Sequence, residues 1–232
     1  MQPERALAAA DALRGQKIFI PSFGHLVHMP AHIYVRTGNF QKSIESNEET
    51  ATMPTDSLSE EFRLWHYNHV LNFLLFSYAM QGNFAKVSDS LDRKFIFKTP
   101  RSSDQRPRYL VRFKRWDDIL NAPAPPADSR PETLQGWRWA RAMALIAKGD
   151  AAKAQAEWTK DTTDASPLRK IDDARIDAAI ARQKGDKAKE IDFLRDAVDA
   201  EDTLGYSEPP LSISPVRENL GGALLRDGQF IE

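Results

Sequence analysis

The sequence predicts an all-α chain, on three observations. Helical periodicity runs almost throughout, with Leu134, Trp137, Arg141, Leu145 and Lys148 down one stripe and Ile171, Ala174, Ala178 and Ala181 down another. Strand signals are nearly absent, with no Asn-Gly or Asp-Gly turn between alternating runs. A Gly followed by Asn, Asp or Gln then recurs at Gly38, Gly82, Gly149, Gly185 and Gly228, with gaps of 44, 67, 36 and 43 residues. The gap of 67 divides at Lys114-Arg115-Trp116 into 32 and 35.

Each such turn has a physical reason. The Gly can take the left-handed conformation that ends one helix, and the polar residue after it can open the next. Phe40, Phe84, Trp116 and Phe230 follow the turns, where a ring can wedge between paired helices. Seven residues before the turn, Ala31, Ala142, Ala178 and Gly221 are small enough for close helix approach, and Leu75 departs from that rule. The elements follow in order. Residues 1–23 are expected to form an N-terminal helix and connection, and residues 24–122 a first set of helix hairpins. Pro123, Pro125, Pro126 and Pro131 mark a rigid connection over 123–133. Hairpins resume over 134–232, and the last looks truncated, since only two residues follow Phe230.

This spacing, the small residue and the Gly-polar-aromatic turn resemble the tetratricopeptide repeat. The segment from His28 to Gly38, HMPAHIYVRTG, is similar to that of bacterial members with an HMPxHIYxRxG signature. The resemblance implies a right-handed solenoid of about six antiparallel hairpins, a binding or scaffold role, and a concave groove lined by the first helix of each hairpin. The groove positions it implies lie thirteen, ten, six and two residues before each turn. They are His25, His28, His32 and Arg36 before Gly38, and His69, Asn72, Phe76 and Met80 before Gly82.

Composition narrows the function classes. The 232 residues hold 32 Lys plus Arg against 33 Asp plus Glu, a net charge of −1 that disfavours nucleic acid as a partner. No run of 18 apolar residues exists, so membrane insertion is not expected. The first sixteen residues lack the apolar stretch of a secretory signal, which leaves a soluble protein of cytoplasm or, after processing, periplasm. With no cysteine, thiolate chemistry and Cys-based metal sites are excluded.

All five histidines fall within 45 residues: His25, His28, His32, His66 and His69. Spacings of three and four residues place each set on one helical face. Three readings follow: buried imidazoles bonded to backbone, Asn68 or Asn72; a transition-metal site, with Zn²⁺ or Cu²⁺ favoured by nitrogen ligands; or metal-free binding and acid–base chemistry. The metal reading leads, because imidazoles from adjacent helices can aim at one ion. Pro30 suits a first helical turn, which leaves open a second placement, with His28 as a cap and His25 in the preceding loop. Glu218, on the groove side, is the better candidate for a fourth ligand or base than Glu208, while Glu45, Glu48 and Glu49 read as surface. A metal-dependent hydrolase or oxidase is the enzyme alternative.

Charge is also unevenly spread. Residues 86–115 hold ten basic and three acidic side chains, whereas 37–62 hold one basic and six acidic. Arg101, Arg108 and Arg112 would offer bidentate forks to a peptide, protein or small anionic ligand in the groove, or form a solvated basic face. Trp65, Trp137, Trp139 and Trp158 are expected in the hairpin cores.

Overall fold

In the computed structural model the described residues are 2–15, 24–52, 59–96, 105–159 and 166–230, and among them every regular element is helical. Arg101, in the predicted basic band, lies outside them. The chain forms two compact units, 1–103 and 104–232.

In the first unit a 3₁₀ turn leads into α1 (Leu7–Gly15), followed by α2 (Gly24–His28), α3 (Pro30–Arg36), α4 (Phe40–Ala51), α5 (Glu60–Met80) and α6 (Phe84–Ile96). Helix α5 is central. From Val70 to Ala79 every side chain but the half-buried Asn72 is buried, because α4 and α6 both pack on this helix. A helix apolar all round is stable only in such a place. The predicted close approach at Ala31 is present: it is fully buried with Val35, Phe73 and Phe76, and the turn aromatic Phe40 wedges against this group.

The second unit contains α7 (Arg106–Arg112), α8 (Trp116–Asn121), α9 (Pro131–Ala147), α10 (Ala151–Glu157), α11 (Pro167–Gln183), α12 (Lys187–Asp202) and α13 (Val216–Asp227). Helices α11, α12 and α13 pack in sequence order, while α7, α8, α10 and α11 all pack on α9. The proline connection is therefore internal to this unit, because α7 and α8, before it, pack on α9, after it. Helix α9 begins at Pro131, three residues earlier than expected, since proline's fixed φ and missing N–H suit a first helical position.

Six turns share one geometry. At Gly38, Gly82, Gly149, Gly185 and Gly228 φ lies between +71° and +94°, and Lys114 takes the same region at +54°. In all six the amide of the next residue donates to the carbonyl five positions back, as Asn39 N to Tyr34 O at 2.8 Å and Arg115 N to Leu110 O at 2.9 Å. The turn residue's own amide closes a second bond three back, completing the Schellman pattern. Asn83, Asp150 and Asp186 then open the following helix by accepting from Lys86 N, Lys153 N and Lys189 N. Asn39 departs from the expectation, its amide donating back to Thr37. Phe230 departs too, being 78% exposed rather than wedged.

Candidate metal centre

The histidine face decides between the two placements of His25 and His28. Helices α2 and α3 form a nearly continuous helical path broken at Met29, itself in helical conformation with its amide donating to His25 O at 3.0 Å. The break arises because Pro30 has no N–H and its ring crowds the carbonyl one helical turn back. His25 is therefore helical rather than in a loop, and His28 sits one turn from His32 instead of capping it.

Three imidazoles converge. His28 and His32 from this path and His69 from α5 each offer a ring nitrogen within 4.8 Å of the others. Their ring centroids lie 4.8 Å (His28–His32), 4.7 Å (His28–His69) and 5.5 Å (His32–His69) apart. Phe73, fully buried, packs edge-on beside all three at 4.6–5.1 Å, and Trp65 stacks almost parallel on His69 at 5.5 Å. Trp65 is thus not core as expected; it is 53% exposed and covers the rim of the cluster.

His28 is the oriented member. Its Nδ1 lies 2.7 Å from Asn47 Oδ1, and Asn47 Nδ2 donates to Ser43 O at 2.7 Å. That second bond turns the amide oxygen towards His28, so Nδ1 carries the proton and donates. The Nε2 lone pair is left facing His32 Nε2 at 3.0 Å. A ring nitrogen fixed from behind by a polar partner is the usual support of a metal-binding histidine. Burial pushes the His28 imidazole down to about 3, against the opposing pull of Asn47, and the other histidines add to the shift. It stays neutral, the ligand form, across the physiological range.

His25 and His66 form a neighbouring pair, rings 5.6 Å apart and edge-to-face, held below the ordinary histidine range by burial. They stand 6.0 and 6.2 Å from His28, outside the converging three. Arg36 is exposed at the end of α3 and Asn72 is half-buried on α5; neither joins the cluster. Asn68, one of the partners considered for the histidines, donates to Leu64 O in its own helix.

The partner that sequence reasoning missed is Asn47. It lies on α4, a helix read as facing away from the histidines. A signal was present, since Ser43, Ser46, Asn47 and Thr50 form a polar stripe at helical spacing and all four are buried.

The predicted carboxylate and arginines belong to the second unit. Arg108 donates two parallel bonds to the buried Asp172, at 2.8 and 2.7 Å, so its fork is filled from within. Arg112 bonds Glu218 at 3.0 Å and Ser214 at 3.1 Å, so Glu218 serves an arginine rather than a metal. Trp139 is buried as expected, with the Arg108 and Arg175 guanidinium groups 4.9 and 5.4 Å from its ring centre. No helix among the described residues is long and apolar enough to cross a membrane. Compared with known protein families, curated proteins and solved structures, the chain matches none.

Proposed function

We propose that this chain is a helical-hairpin binding module of the tetratricopeptide type, with a transition-metal ion held in its first unit by His28, His32 and His69. The observation that carries the metal reading is the convergence of three ring nitrogens, one already fixed in the ligand tautomer by Asn47. The six matching turns support the hairpin reading, and so does a cleft in the second unit. Its lining includes Arg175, Ala179 and Gln183 of α11 and Glu218, Gly222 and Arg226 of α13, the positions ten, six and two before successive turns.

Nitrogen-only ligation favours Zn²⁺ or Cu²⁺. Two nitrogens 3.0 Å apart, each about 2.0–2.1 Å from an ion, would subtend about 91–97°. That angle suits tetragonal Cu²⁺ better than tetrahedral Zn²⁺, which would need the rings to open by about 0.3–0.4 Å.

The test uses protein purified without a histidine tag. Elemental analysis should find about one metal per chain. Added Cu²⁺ should raise thermal stability by about 2.7 kcal/mol at a free concentration one hundred times the dissociation constant. His69→Ala should abolish that gain while the metal-free protein stays folded. An absent metal-dependent shift in the wild type, or a shift that survives His32→Ala and His69→Ala together, defeats the reading.

A second reading, a metal-dependent hydrolase or oxidase, is favoured by one observation. Among the described residues the converging group contains no fourth protein ligand, and an ion held by three imidazoles keeps a position for water or substrate. Turnover of an activated ester, or metal-dependent oxygen uptake with a phenolic substrate, lost in His69→Ala would favour it over the binding role.

A further inference from the structure

The cleft in the second unit has a volume of about 620 Å³, the size of a small-molecule site. Five cationic side chains line it, Arg112, Lys114, Arg175, Arg182 and Arg226, against two carboxylates, Glu190 and Glu218. Both carboxylates are committed, Glu218 to Arg112 at 3.0 Å and Glu190 to Arg226 at 2.5 Å. The surplus positive charge therefore falls on Arg175, Arg182 and Lys114.

Arg175 is the telling member. It is about nine-tenths buried, yet among the described residues its guanidinium donates only to neutral oxygens, Asn219 Oδ1 at 2.8 Å and Ser214 O at 3.4 Å. Asp172, one helical turn back, has both oxygens engaged by Arg108. Burying a charge without a paired counter-charge is costly, and an anion in the cleft would relieve that cost. Burial accordingly pushes Arg175 down to about 10, with Asp172 opposing the shift. Two turns further along the same face of α11, Arg182 is exposed and makes no ion pair among the described residues. Asn219, its amide oxygen turned to Arg175, keeps its NH₂ group as a further donor. Met143, Ile146 and Leu194 supply an apolar wall beside these donors.

We propose that this cleft binds a small amphipathic anion, its oxyanion head bonded to Arg175 and drawn in by Arg182 and Lys114, its apolar body against Met143, Ile146 and Leu194. The inference rests on the second unit alone and does not depend on the metal reading. Carboxylate and phosphate heads share the required chemistry, so the probes are octanoate and octyl phosphate, with octanol as the uncharged control.

Isothermal titration of the full chain should show one equivalent of an octyl anion bound, with affinity falling as salt rises, and no binding of octanol. Whichever anion binds more tightly identifies the head group. Arg182→Gln, an exposed change that breaks no ion pair, should weaken binding at least tenfold with an unchanged helical spectrum. Arg175→Lys should weaken it further, because lysine lacks the planar fork. If Arg175→Lys fails to fold, Arg182→Gln decides alone. Binding of neither anion, binding of octanol equal to that of octanoate, or unchanged affinity in Arg182→Gln overturns the proposal.

Discussion

In the first unit, polar groups leave water as rings, with His28, His32 and His69 packed against one another and against Phe73. In the second, full charge is taken out of water against an opposite charge, as where Arg108 meets the buried Asp172. The two solutions differ in what happens when a partner is lost. A neutral ring can be uncharged and still bonded, as His28 is with Asn47. A guanidinium cannot shed its proton, so its counter-charge is structural. The first unit should therefore respond to pH and metal, and the second to removal of individual carboxylates.

The largest expected effect follows from that contrast. Asp172 is 1% exposed and neutralises Arg108 while lying beside Arg175. Asp172→Asn keeps the shape and removes the charge, and should cost about 3–5 kcal/mol, the usual penalty for breaking a buried pair. Urea denaturation of the metal-free protein would measure it. In the first unit, His28→Ala orphans the Asn47 amide and should cost about 1–3 kcal/mol. His69→Ala, at the rim beneath Trp65, should cost less than either. A His28 penalty equal to that of Asp172 would erase the distinction between the two regions.

Acid sharpens it. The folded-state pKa of His28 is depressed to about 3, and those of His25 and His66 are also lowered. The unfolded chain, with histidines near 6.5, then binds more protons than the folded one as pH falls. The stability these neutral imidazoles contribute is complete above pH 6.5 and is lost on acidification, by at most about 1.4 kcal/mol per pH unit for each group. All five histidines lie in the first unit, so a histidine slope between pH 6.5 and 5 belongs to that unit. Unfolding measured at pH 7, 6 and 5 with chelator should show it, and His28→Gln should reduce it by about one proton's worth.

How legible each part was in the sequence depends on how local its cause is. The turns were readable because one residue in the left-handed region and one polar neighbour decide them. The histidine face was readable from spacing, but not which three rings would meet, since that depends on α5 arriving across the path of α2 and α3. Asn47 was hidden by the assumption that a second helix turns outward. The arginine pairs were the least accessible. Arg108 and Asp172 are 64 residues apart and Arg112 and Glu218 are 106 apart, separations over which charge composition carries no register.

The smallest predicted effect concerns the one turn where the regions differ in backbone chemistry. Both turns of the first unit close on glycine, whereas the second unit closes its first turn on Lys114, at φ +54°. A side chain in the left-handed region brings Cβ towards the following carbonyl, at a cost of roughly 1–2 kcal/mol. Glycine removes that cost but adds freedom to the unfolded chain, which returns roughly 0.5–1 kcal/mol of it. Lys114→Gly should therefore raise stability by about 0.5–1 kcal/mol, read as a higher urea midpoint at unchanged slope. Lys114→Ala keeps the strained Cβ and should bring no such gain, which separates backbone relief from loss of the lysine charge. Equal gains from both substitutions would assign the effect to charge repulsion in the arginine-rich cleft, and the six turns would then be energetically alike.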